Sequence, residues 1–136
     1  LILLYSAFGL PFATWIIASS LREIPFELEE SAMMDGASRM QSMVRIVLPL
    51  ATPALITAAM WHFVGAWSEF AFASILMESS DNKTVTIGLA SFVELFTIEF
   101  NRVGAAATLV AMPIMVVFFF GQRYFTRGLL AGAVKG

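Results

Sequence analysis

The sequence predicts an all-α, polytopic transmembrane helix bundle, and three observations predict it. Hydrophobic residues make up 59% of the 136-residue chain while only 13% are charged, against roughly half apolar and a quarter charged in a water-soluble domain. The mean hydropathy is +0.82. The apolar residues are gathered into long blocks with the charges between them, which is the arrangement a bilayer selects. A soluble helix needs a polar face, and the block from Val103 to Gly121 offers almost none.

The first block, residues 1–21, is uncharged and long enough to cross a membrane; Pro11 within it is tolerable where neighbouring helices re-satisfy the backbone. The second, residues 47–77, carries His62 and Glu69 as its ionisable groups. Its 31 residues would extend roughly 46 Å as one helix, against a hydrocarbon core of about 30 Å. It must therefore tilt, bend or start before the membrane, and Pro49 and Pro53 favour a start at the interface. The third block is residues 103–121. The chain opens on Leu1 inside an apolar run with no initiator Met and no basic leader, so the reading is of a piece of a longer protein, and not of a signal peptide.

Basic residues set the orientation. Arg22, Arg39 and Arg45 lie in the connection 22–46, and Arg123, Arg127 and Lys135 in the tail 122–136, whereas only Lys83 and Arg102 fall in the loop 78–102. The excess places the first connection and the C-terminus in the cytoplasm and the loop outside.

The cytoplasmic connection carries the most information. Ile24-Pro25 blocks continuation of the first span, and Pro25 can open a new helix whose first turns hold Glu27, Glu29 and Glu30 near its positive end. That helix should run to about Asp35 and end at Gly36. Ser38 with Gln41 three residues later makes a capping-box pattern for a second short helix bearing Arg39 and Arg45. Met33, Ala37, Met40 and Val44 then share one apolar surface if the turn is tight. An interfacial helix resting on lipid would account for the amphipathicity. It fits the acidic residues Glu27, Glu29, Glu30 and Asp35 poorly, because inner-leaflet lipid is anionic; a basic protein partner fits them better.

These residues resemble a known family. Glu30-Ser31-Ala32, then Met33, Met34 and Asp35, then Gly36, nine further residues, and Ile46-Val47-Leu48-Pro49 look like the E-A-A loop of ABC-importer permeases, with Ser31 standing where Ala is usual. Trp67-Ser68-Glu69-Phe70 with Phe72-Ala73 resembles the W-N-E-F-x-F-A element of carbohydrate permeases, Ser68 replacing Asn. Thr84 to Leu89 is similar to their outer loop, and the ending from Gln122 to Gly136 to the tail of maltose-type sugar permeases, with Leu130 in place of Thr.

The resemblance covers essentially the whole chain and implies the C-terminal half of a type I permease core. It implies that Glu30, Ser31, Ala32, Asp35 and Gly36 dock on an ABC ATPase dimer, with Ile46, Leu48 and Pro49 setting the junction to the next span. It also implies that Gly128, Ala131, Gly132 and Lys135 reach toward that dimer. A second permease subunit and an extracytoplasmic sugar-binding protein are the other implied partners. ATP would be bound by the ATPase subunit and no cofactor by this chain. Its substrate class follows only from the outer and C-terminal resemblances, so a non-sugar solute is the nearest alternative.

Within the spans, Glu69 is a functional candidate because an intramembrane carboxylate is expensive; a helix-to-helix hydrogen bond is the alternative. Trp67, Glu69 and Phe70 are candidate pathway residues, although tryptophan is common at membrane interfaces and bundle contacts. Outside, Leu89, Phe92, Val93 and Phe96 repeat at helical spacing and predict an amphipathic segment over 85–100. The Gly-rich tail reads as too weak for a helix of its own.

Other function classes lack their residues. There is no P-loop, no metal-spaced cluster and no cysteine, and the solitary His62 leaves no catalytic triad, so no catalytic or metal site is expected. A net charge of −2 without a basic block argues against nucleic acid. A passive scaffold or channel would not need the docking loop.

Overall fold

The computed structural model describes residues 1–77, 83–93 and 100–133, with only the backbone described over 125–133. Its elements are α1 (Ile2–Arg22), α2 (Phe26–Met34), α3 (Arg39–Ser42), α4 (Leu48–Ser68), α5 (Ala71–Leu76), α6 (Val85–Ala90) and α7 (Phe100–Ala133), with a π-helical turn, Met43–Val47, between α3 and α4. Among the described residues three stretches are long and apolar enough to cross a membrane: Ile2–Arg22, Arg39–Ser68 and Phe100–Tyr124.

α4 is the central helix. α1 packs on it from one side and α7 from another, both antiparallel to it. Tyr5, near the start of α1, reaches Glu69 just beyond the end of α4. Trp67 of α4 reaches Val110 in the first half of α7. The packing uses small residues, as helix association in lipid requires. Ala51 and Ala58 of α4 are buried. A Cβ on Gly9 of α1 would fall on the imidazole of His62, and one on Gly121 of α7 on the thioether of Met60. These two glycines let the backbones of α1 and α7 come close to α4. The large apolar side chains of the outer faces, such as Leu3, Trp15, Leu109 and Phe119, are exposed, the pattern of helices whose solvent is lipid or a further helix.

Four expectations need correcting. The second apolar block is not one helix over 47–77: α4 ends at Ser68, Glu69 is extended (φ −71°, ψ 132°), and α5 starts afresh at Ala71. No proline or glycine marks the break. The second short helix of the connection is not separate either, since α3 runs through the π turn into α4 as one rod of 30 residues from Arg39 to Ser68. Within the turn the amide of Leu48 donates to the carbonyl of Met43, five residues back. Pro49 follows and has no N–H, so the change of hydrogen-bond register falls where one donor is missing in any case. The predicted outer segment 85–100 is a shorter helix, α6, which stops at Ala90; Phe96 lies outside the described residues. The tail continues α7 as helix to Ala133. Helix that is already nucleated propagates at far lower cost than a new one starts, which outweighs the propensity of the tail glycines.

Candidate functional site

The α1–α4 connection is a helix, a tight turn and a helix, each boundary fixed by local chemistry. Pro25 (φ −60°, ψ 131°) is the residue before α2, one position earlier than expected. Glu27 and Glu29 stand in the first turn of α2, where a carboxylate faces the positive end of the helix dipole. Ser31 is exposed and turns its hydroxyl back to donate to the carbonyl of Glu27 at 2.7 Å, so at that position the side chain serves its own helix.

The end of α2 is a paired cap. The amide of Ala37 donates to the carbonyl of Ala32 at 3.0 Å, and the amide of Gly36 to that of Met33 at 3.1 Å. This double closure requires a left-handed residue between the two helices, and Gly36 has φ +88°. The spacing of Ala32 to Gly36 is therefore the spacing of a helix end to its left-handed glycine. Ser38 then caps α3: its Oγ accepts from the amide of Gln41 at 3.3 Å, and the Gln41 side chain accepts from the amide of Ser38 at 2.8 Å. The capping box is present as expected. Arg39 Nε lies 3.4 Å from Glu29 Oε1, with 81% of the arginine exposed; so open an ion pair adds little stability.

Beside the exposed Arg39, what this unit presents outward is apolar and acidic. Met40 and Val44 of the predicted shared surface are 72% and 53% exposed, and Met34, which falls outside that spacing, is 89% exposed. Glu27, Glu30 and Asp35 are exposed beside them, and Ala32 is half-buried. Ile46 sits half-buried in the π turn, and Leu48 and Pro49 are exposed at the start of α4. Periodicity does not single out Met34.

At the opposite end of the helices, Glu69 joins three elements. Its Oε1 accepts from the amide of Phe72 at 2.7 Å and its Oε2 from the amide of Ala73 at 3.0 Å, both in the first turn of α5. Tyr5 of α1 donates its hydroxyl to Oε2 at 2.7 Å, and Thr86 of α6 donates to the Glu69 carbonyl at 2.7 Å. A carboxylate before a helix start satisfies amides that have no partner within the helix. Glu69 thus restarts the chain as α5 and ties α1 to it. Phe8 stacks on Phe72 with ring centres 5.5 Å apart, closing the same junction.

Trp67 donates its indole N–H to the carbonyl of Val110 at 3.1 Å, tying α4 to α7. Phe70 is exposed at the break. Of the four tail residues, Gly128, Ala131 and Gly132 lie on the helical backbone of α7, and Lys135 lies outside the described residues. Among the described residues no group of three or more His, Asp or Glu could hold a metal ion.

Three antiparallel membrane-length helices with a capped helix–turn–helix on one connection and a carboxylate-capped break at the far end describe a multi-pass membrane protein. Comparison with known proteins gives the family. Residues 1–130 match the family model of the binding-protein-dependent transport system inner membrane component, and the chain belongs to that family. It is 38% identical over 136 residues to the diacetylchitobiose uptake system permease protein of Streptomyces coelicolor, covering 100% of this chain and 49% of the relative. It is also 38% identical over 133 residues to the trehalose/maltose transport system permease protein of Thermococcus litoralis, covering 97% and 48%. With the maltodextrin transport system permease protein of Streptococcus pneumoniae the identity is 36% over 137 residues, covering 100% and 49%. The chain thus spans about half the length of these relatives.

Proposed function

We propose that this chain is part of a permease subunit of an ATP-driven, binding-protein-dependent importer of carbohydrates, and that it transmits motion from a cytoplasmic ATPase dimer to a membrane pathway without catalysing a reaction. The observation that carries the reading is the unit α2–Gly36–α3. It is a doubly capped turn that exposes Met34 and Met40 together with Glu27, Glu30 and Asp35, and it is joined without interruption to the central helix of the bundle. Exposed methionines accompanied by carboxylates suit a cleft with an apolar floor and basic walls on a protein partner.

In this reading Glu30, Ser31, Ala32, Asp35 and Gly36 dock on the ATPase, and Ile46, Leu48 and Pro49 pass its displacement into α4. ATP is held by the partner, and closure of the ATPase dimer moves the docked loops so that the helices rearrange between inward and outward access. ATP must favour one of the two states, since equal affinity shifts nothing. The basic residues of the α1–α4 connection support a cytoplasmic placement for it and for the C-terminus. A second permease subunit completes the pathway, and an extracytoplasmic binding protein delivers the solute.

The relatives named for diacetylchitobiose, trehalose, maltose and maltodextrin support a di- or oligosaccharide as the cargo. The test is uptake by proteoliposomes holding the full-length parent, its ATPase, its partner permease and its binding protein. The expected result is accumulation of a labelled disaccharide that needs internal ATP and external binding protein. Accumulation of an amino acid or phosphate with no sugar uptake would keep the transporter and overturn the cargo.

A further inference from the structure

Four of the chain's eight methionines, Met33, Met34, Met40 and Met43, fall within eleven residues on both sides of the turn at Gly36. The other four, Met60, Met77, Met112 and Met115, lie in the apolar stretches 47–77 and 103–121. Those in the connection meet water: Met34 is 89% exposed, Met40 72%, Met43 49% and Met33 37%. A leucine would supply similar apolar area at any of these positions. Methionine differs from it in carrying a flexible thioether that can be oxidised.

We propose that Met34 and Met40 are sites of reversible oxidation, and that their sulfoxides switch off docking of the α2–α3 unit on the ATPase; the inference rests on the docking reading and deepens it. The reagent is a peroxide in water. Sulfur takes one oxygen atom as the O–O bond breaks, the second oxygen leaves as water, and the two electrons lost by sulfur reduce the peroxide. In the reverse step a methionine sulfoxide reductase returns the thioether, while a dithiol is oxidised to a disulfide and the oxygen is released as water.

Oxidation alters the surface of the unit and spares its fold. Backbone groups close the turn, the amide of Gly36 on the carbonyl of Met33 and that of Ala37 on the carbonyl of Ala32, and Ser38 and Gln41 cap α3. No methionine sulfur takes part in these bonds, so an oxidised unit keeps its shape. What changes is the contact. A sulfoxide oxygen is polar, and setting it against the apolar floor of a cleft without a donor weakens binding about tenfold. Access decides when the switch acts. The methionines are open to peroxide while the permease is free of its ATPase, and docking covers them, so oxidant blocks new assembly and spares assembled complexes.

The experiment uses the full-length permease purified in detergent. It is exposed to hydrogen peroxide, freed of it, and mixed with the purified ATPase subunit. The affinity is measured before oxidation, after it, and after treatment with the two methionine sulfoxide reductases and dithiothreitol. The comparison is a variant with Met34→Leu and Met40→Leu, which keeps the apolar volume. Mass spectrometry of peptides should show one added oxygen at Met34 first and at Met40 next, following exposure, while the thioether of Met60, set against Gly121, stays reduced. Affinity should fall about tenfold and return with the reductases. The leucine variant should bind as the wild type does and keep that affinity through peroxide. Unchanged affinity with Met34 and Met40 fully oxidised would overturn the proposal. So would a leucine variant as sensitive as the wild type, which would place the damage elsewhere. Failure of the reduced wild type to bind the ATPase at all would remove the docking reading, and the proposal with it.

Discussion

Replacing Gly36 with alanine tests the turn from which the proposed docking surface is built. A Cβ added at Gly36 meets no atom within 4 Å, so packing contributes nothing and the whole cost is in the backbone. With φ at +88°, an L-residue is about 1–2 kcal/mol less favourable than in its ordinary conformations. Where the variant releases that strain by letting α2 and α3 swing apart, the population ready to dock falls by up to about 5- to 30-fold. The assay is the affinity of the purified ATPase subunit for the full-length permease in detergent, comparing wild type, Gly36→Ala and Gly36→Asn. Gly36→Ala should weaken it by that factor, and Gly36→Asn by less, because asparagine tolerates the left-handed region. Equal weakening by both would refute the backbone argument, since it would point to a steric contact at this position. An unchanged affinity for Gly36→Ala would show that the turn does not shape the docking surface.

Three further outcomes follow from the packing and the caps. Gly9→Ala puts a methyl group onto the His62 ring and should cost about 1–3 kcal/mol as overpacking, lowering the melting temperature of the full-length protein in detergent, with His62→Ala in the same chain restoring part of the loss. Gly121→Ala should cost less, because the atoms it meets belong to the flexible Met60 side chain. Ser38→Ala removes the acceptor for the Gln41 amide and should cost about 1 kcal/mol at the start of α3, read as roughly fivefold faster hydrogen exchange at that amide. Trp67→Phe keeps an aromatic ring beside Phe63 but loses the bond to Val110, for a loss of about 0.6 kcal/mol and a small drop in melting temperature.

The parts of the fold legible in the sequence are those fixed within a few residues of chain. Gly36 and the Ser38–Gln41 pair were readable because a left-handed helix end and a capping box depend on neighbouring backbone amides alone. The three apolar blocks were readable because bilayer thickness sets their length. The break at Glu69–Phe70 was not, because no proline or glycine marks it and the carboxylate that stabilises it is completed by Tyr5, 64 residues earlier. The same separation hid the choice at Glu69 between a pathway group and a structural one. The described bonds of Glu69 hold α5 and α1: Oε1 accepts from the Phe72 amide, and Oε2 from the Ala73 amide and the Tyr5 hydroxyl. The fusion of α3 with α4 was hidden because prolines 49 and 53 read as a fresh helix start, and the π turn that absorbs the first of them has no sequence signature of its own.

Docking of the α2–α3 unit on an ATPase can be read out with a photo-crosslinker at the unit's most exposed apolar residue. Met34→p-benzoylphenylalanine places the reactive ketone at a position that is 89% exposed, in the full-length parent co-expressed with its genomic neighbours. Irradiation should yield a covalent adduct with the ATPase subunit, and Gly36→Ala in the same chain should lower its yield while the permease remains in the membrane. Adducts with lipid alone, from a permease that is inserted and accompanied by its ATPase, would contradict it and make the unit a helix pair resting on the membrane surface.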